Sequence, residues 1–155
     1  MRVLKGTTTF NGVKLSKTGG QHGTDLFYAD PERAQMGGSV MGVVFSAPKA
    51  NTVYVAGDTV WRPEVDQALA QHKPDVVILN TGSALVSGFE EHPIIMGKQD
   101  TLQATKSAPK AAIVAVHMDS VNHMSLSRKE LREFVQDNKI QDRVVIPEDG
   151  EVMKF

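Results

Sequence analysis

The sequence contains no cysteine, which removes disulfides and every thiolate metal site. Any metal held by this chain must be held by His and carboxylate side chains. The same absence fits a cytoplasmic protein. An excess of either charge is also missing: 17 Lys and Arg stand against 18 Asp and Glu, a net charge of −1. That balance gives no electrostatic reason to expect nucleic acid or an anionic membrane as a partner. No apolar run approaches the roughly 18 residues of a membrane span. The opening MRVLKGTTTF has no apolar stretch after its basic residue and so does not read as a secretory signal. Repeats, low-complexity tracts and linkers are absent as well, so residues 1–155 are read as one domain. What is present, 41% hydrophobic residues, excludes a disordered chain and supports a packed core.

The first part of the chain reads as hairpins. TTTF and VKLSKT alternate in the manner of strands around Asn11-Gly12, a strong two-residue turn signal. A glycine-rich loop, Gly19 to Gly23, surrounds His22. Residues 25–38 have weak periodicity and read as an irregular excursion. SVMGVVFSA and TVYVAG form a second expected hairpin. Strand and helix then alternate. Pro63 suits the first turn of a helix carrying Val65 and Leu69. DVVILN and AAIVAV are continuous apolar runs, as expected of strands buried on both faces. A long loop and a helix over Gln99–Ser107 separate them. Ser127 and Glu130 form a capping box before a helix with Leu131, Phe134 and Val135 on one face. RVVIP and EVMKF read as closing strands around Asp149-Gly150. Hairpins followed by strand–helix alternation predict an α/β domain, a mixed sheet with helices packed on it.

Three polar residues stand where apolar strands end. His22 follows the first hairpin, Asp58 follows VYVAG and His117 follows AAIVAV. Strand-end loops are where α/β proteins place ligands, because the sheet fixes side chains that the loop leaves open. Two imidazoles and a carboxylate suit a divalent cation. Taken singly, Asp58 also reads as a turn or cap residue, and each His as a hydrogen-bonded surface residue.

The segments TGGQHG, VYVAGDT, PDVVILNTG and VAVHMDSVNHMSLSRKELREF resemble, in order and spacing, the second half of the metallo-β-lactamase superfamily, in its branch of general metal-dependent hydrolases. The resemblance implies the C-terminal half of a four-layer αββα sandwich, with helices on one outer face of the sheet. It implies a two-metal site holding zinc or another divalent metal. In that arrangement His22 would bind the first metal, Asp58 would bridge both, and His117 would bind the second. A carboxylate between two cations about 4 Å apart offsets their repulsion. Such a site activates water against an ester, amide, lactone or phosphoester centre. The family's His-x-His-x-Asp-His run, and a further His before the position of His22, are absent. The five His are His22, His72, His92, His117 and His123. Each metal would therefore keep two ligands from this chain, where a catalytic zinc takes at least three.

Other residues carry weaker expectations. His123, on the loop after His117, is a catalytic candidate beside Asp58, or else a helix-entry residue. Asp119 would either orient His117 or lie exposed. Asn80 and Thr81 would line the pocket floor. Trp61 reads as a core anchor more than a pocket wall, and Asn122 as a turn residue. His92 lies in a long loop that would be a lid or plain surface. Glu90 and Glu91 read as solvated, and His72 suits a helix C-terminus. Two functions follow. One is part of a metal-dependent hydrolase acting on a small ester-like molecule, completed by a complementary N-terminal half. The other is a catalytically inactive half-domain that binds or self-associates, a homodimer covering its open sheet face. A nucleotide-binding module is disfavoured, because GGQHG does not run from a strand directly into a helix.

Overall fold

A computed structural model describes residues 3–155. Asn11 and Gly12, at φ 47° and 81°, take the left-handed conformations that a two-residue hairpin turn requires. They join β1 (Thr7–Phe10) to β2 (Val13–Thr18), with Phe10 opposite Val13. Two short helices follow, α1 (Asp25–Tyr28) and α2 (Pro31–Gly37), where the sequence suggested irregular chain. Their causes are local: Thr24 Oγ1 accepts from Phe27 N, and Asp30 Oδ1 accepts from Glu32 N and Arg33 N just ahead of Pro31. The second hairpin, β3 (Gly42–Ser46) and β4 (Val53–Val55), forms as expected, and β3 pairs antiparallel with β2.

From β4 onward the chain alternates. α3 (Pro63–His72), β5 (Val76–Asn80), α4 (Lys98–Ser107), β6 (Ala112–Val116), α5 (Arg128–Asp137) and β7 (Val144–Val145) follow in turn. β4 to β7 pair in parallel, so one mixed sheet of seven strands runs in sequence order. α4 starts one residue earlier than expected, where Gly97 N donates to the Asp100 carboxylate at 2.8 Å. EVMKF forms no strand. β7 ends at Val145, and Glu148 and Glu151 instead hold a turn around Gly150, with Glu151 N donating to Glu148 O. Among the described residues no helix is long and apolar enough to cross a membrane.

The register sorts the sheet into two faces. Val44, Tyr54, Val77, Leu79, Ile113, Ala115 and Val144 form one core with Val65, Ala68 and Leu69 of α3, Ala104 of α4, and Leu131 and Val135 of α5. The opposite face aligns Leu15, Phe45, Val53 and Val76, and beside them Val43, Val55, Ile78 and Val114. Most of these residues are only half-buried, and Phe10 at the edge is 70% exposed. The chain exposes 9236 Å² in all, whereas a compact monomer of its mass exposes about 7,700 Å².

The helix starts are a direct test of the local reading. Ser127 accepts from Glu130 N, and the Glu130 carboxylate accepts from Ser127 N at 2.9 Å. Ser127→Ala is expected to cost about 1 kcal/mol, a fall of about 2–4 °C in the thermal midpoint for a chain of this size. An unchanged midpoint would mean that α5 is held by its packing alone.

Candidate functional site

Topology brings the candidate residues to one edge. β2 runs antiparallel to β3, and β3 antiparallel to β4, so β2 ends at the same edge as β4, β5 and β6. His22, Asp58, Asn80 and His117 all follow or close those strands. Two local conformations aim them. Gly57, at φ 75°, turns the chain immediately before Asp58, and His117 itself sits at φ 66°. A non-glycine residue held in the left-handed region stores strain that surrounding contacts must balance. Two hydrogen bonds tie the loops together. Gln21 N donates to Thr59 Oγ1 at 2.9 Å, and Val60 N donates to Gln21 O at 2.9 Å. The loop of His22 is thereby fixed to the loop of Asp58.

Asp58 is the centre of the group. Its Oδ1 accepts from Asn80 Nδ2 at 2.6 Å, and His117 Nε2 lies 3.7 Å from the same oxygen. The second distance is too long for a hydrogen bond, so His117 is close but not committed. The two side chains are 39% and 35% exposed, so both can be reached from solvent. His22 feels the charge of Asp58, His117 and His123. Burial pushes its imidazole below the ordinary 6.5, nearby Asp58 opposes that shift, and His123 and His117 reinforce it. A neutral imidazole is the form that binds metal.

The sign of this shift gives a prediction. Because the unfolded chain takes up the proton first, His22 contributes stability above 6.5 that is lost as the pH falls through and below that value. Proton NMR should place the His22 titration midpoint below 6.5, and His22→Ala should flatten part of the acid-side loss of stability. A midpoint at or above the ordinary value contradicts the burial argument.

The donors fit a divalent cation in kind, with two imidazoles and a carboxylate partly open to solvent. They do not complete a site in number. Among the described residues, no group of three or more His, Asp or Glu is gathered closely enough to hold an ion.

The remaining candidates fall on either side. His123 is exposed, and its carbonyl accepts from Leu85 N at 2.9 Å, which ties its loop to the loop after β5. It lines, with His22, a cavity of about 280 Å³. Asn80 is brought to Asp58 itself. Thr81 is fully buried and bonds to Val116 O. Asp119 does not orient His117; its carboxylate accepts from Arg128 N and pairs with the Arg128 guanidinium at 3.3 Å. Trp61 packs on the core and donates to Asp66 Oδ2. His92 stacks against Phe89 with 4.9 Å between ring centroids, Glu90 accepts from Gly88 N, and His72 ends α3. A roomier cavity, about 520 Å³, lies between the end of α3 and Pro109–Ala111, at the opposite ends of β5 and β6 from Asn80 and His117, and is lined by no His.

No family model matches the chain. Over all 155 residues it is 37% identical to the UPF0173 protein YddR of Bacillus subtilis (strain 168), of which it spans 58%. A possible metal-dependent hydrolase from Veillonella parvula DSM 2008 superposes with TM-score 0.94 and 48% identity, over 97% of this chain and 57% of that one. The isothiocyanate hydrolase from Delia radicum gut bacteria superposes with TM-score 0.95 and 46% identity, over 99% of this chain and 59% of that one. At 11% identity, the metallo-β-lactamase fold protein YhfI from Bacillus subtilis shares the fold, with TM-score 0.63 over 97% of this chain and 52% of YhfI. The chain thus spans little more than half the length of the relatives it matches.

Proposed function

The chain belongs to the metallo-β-lactamase superfamily, and from that premise we propose that it supplies part of a divalent-metal hydrolase site, acting in the cytoplasm on a small ester-like molecule. The observation that carries this reading is Asp58, with His117 at 3.7 Å and the electrostatically coupled His22 nearby. With further ligands from outside these residues, the three would help to hold a divalent-metal pair, zinc or another metal that accepts imidazole and carboxylate. When bound, it would supply a Lewis acid and a more acidic water. The protein's own residues do the rest. Asn80 holds one Asp58 oxygen in place, His22 stays neutral through burial, and His123 presents an imidazole to whatever enters the cavity. The relative named an isothiocyanate hydrolase supports an electrophilic carbon as the point of attack.

On this reading the remaining ligands come from a complementary segment outside these 155 residues. The test is to combine the chain with the part of the YddR sequence that the match does not cover. The purified complex should take up about two metals per chain and hydrolyse members of a broad ester panel, with activity lost to a chelator. A complex that binds those metals and cleaves nothing would overturn the proposal.

A second reading, a catalytically inactive module that self-associates, rests on the sheet. The exposed area exceeds that of a compact monomer by about 1,500 Å², more than the roughly 800 Å² each partner buries in a standard interface. A monodisperse, metal-free homodimer that ignores added zinc would favour this reading. A well-behaved monomer would exclude it.

A further inference from the structure

Each of α3 and α4 stops shortly before a proline. Pro74 and Pro109 cannot continue a helix, and each disfavours helical backbone in the residue before it. Lys73 accordingly turns into the left-handed region at φ 45°, and Ala108 leaves the helix at φ −123°. The cavity of about 520 Å³ opens between these two helix ends, where β5 and β6 begin. Its floor is apolar: Leu69, Pro74, Ala108 and Ala111 line it and are buried. Its rim carries Lys73 and Lys110, both exposed. A cavity of that size with apolar walls and a few polar groups suits a small organic ligand.

Charge decides which kind. Besides the two lysines, the Arg143 guanidinium donates to the carbonyls of Ala108, Pro109 and Ala111. It offsets the negative end of α4 and fixes the loop that forms one wall. Among the described residues, none of these three cations has an ion-pair partner. Asp75 is the one acidic residue lining the cavity, and its carboxylate is engaged, accepting from Thr52 N at 2.7 Å.

From this positive rim over an apolar floor we propose that the cavity binds a small amphiphilic anion, a single carboxylate on an apolar body of ring or short-chain size. The apolar body leaves water on the floor. The carboxylate stays at the rim beside the lysines, so no charge is buried unpaired. The site lies at the opposite ends of the strands from Asp58 and does not depend on the hydrolase reading.

The experiment is a methyl NMR titration of the metal-free protein with 4-phenylbutyrate, with the uncharged 4-phenylbutan-1-ol and the cationic 4-phenylbutylamine as comparisons. The acid should shift the methyl resonances of Leu69, Ala70, Ala108 and Ala111 saturably. The alcohol should bind about tenfold more weakly and the amine more weakly still, and added salt should narrow the gap between acid and alcohol. Lys73→Asn combined with Lys110→Gln should bring the acid down to the alcohol's affinity, with the alcohol and the thermal midpoint unchanged, since Asn tolerates the left-handed conformation. Equal affinity for acid and alcohol in the parent, shifts confined to the cavity of His22 and His123, no saturable shift at all, or a persistent preference for the acid in the double variant would each overturn the proposal. The same shifts on concentrating the protein alone would mean that a second copy fills the cavity, and would overturn it too.

Discussion

Gly82→Ala is expected to lower stability by about 3 kcal/mol, a fall of about 6–12 °C in the thermal midpoint. A methyl group at this position would run into the carbonyl oxygen of His117 and the sulfur of Met124. The sulfur could swing aside, but the carbonyl is backbone. Its retreat would move the residue that carries the site's second imidazole, already strained at φ 66°. The Gly82 carbonyl also accepts from Ser125 N and Leu126 N, so the loop between His117 and α5 would loosen from its inner side. The effect should therefore reach both folding and function: denaturant unfolding should show the loss, and zinc affinity should fall with it. A variant as stable as the parent, with its zinc affinity intact, would mean that the His117 loop is free to shift.

The second large effect concerns Asp58. Removing its charge by Asp58→Asn should reduce the metal affinity of the completed protein by at least about 100-fold, more than the 10–100-fold typical of losing a residue that only supports a ligand. Asn80→Ala supplies that smaller comparison. Its amide donates to Asp58 Oδ1 at 2.6 Å, so its loss should cost about 10–100-fold while leaving the fold intact. Competition against a chelator measures both. If Asn80→Ala proved as damaging as Asp58→Asn, Asn80 would itself be a ligand. If Asp58→Asn had no effect, the metal would lie elsewhere.

The legible parts of this structure are those with local causes. Asn11-Gly12, the Ser127–Glu130 box and the apolar runs of β5 and β6 each announce themselves within a few residues. His22, Asp58 and His117 stand out as candidates because each follows an expected strand. α1 and α2 do not, since four and seven residues are too few to establish a helical period. EVMKF failed for the opposite reason: alternation suggests a strand, but only a neighbouring strand can make one. Asp119 went to Arg128 because the start of α5 folds back beside it, a contact no spacing reveals. The bond between Asn80 and Asp58 depends on the parallel register that sets Val55 beside Ile78, and the walls of the His22–His123 cavity come from α1, α2 and the long loop after β5, which share no sequence pattern.

On the proposed function, His22, Asp58 and His117 serve one two-metal centre. Observing the five imidazoles by nitrogen–proton NMR while zinc is added to the 155-residue protein tests it most directly. His22 and His117 should shift together and weakly, Asp58→Asn should abolish both shifts, and His72 and His92 should stay still. Shifts at His72 or His92 as large as those at His22 and His117, or a response of His22 without His117, would contradict it.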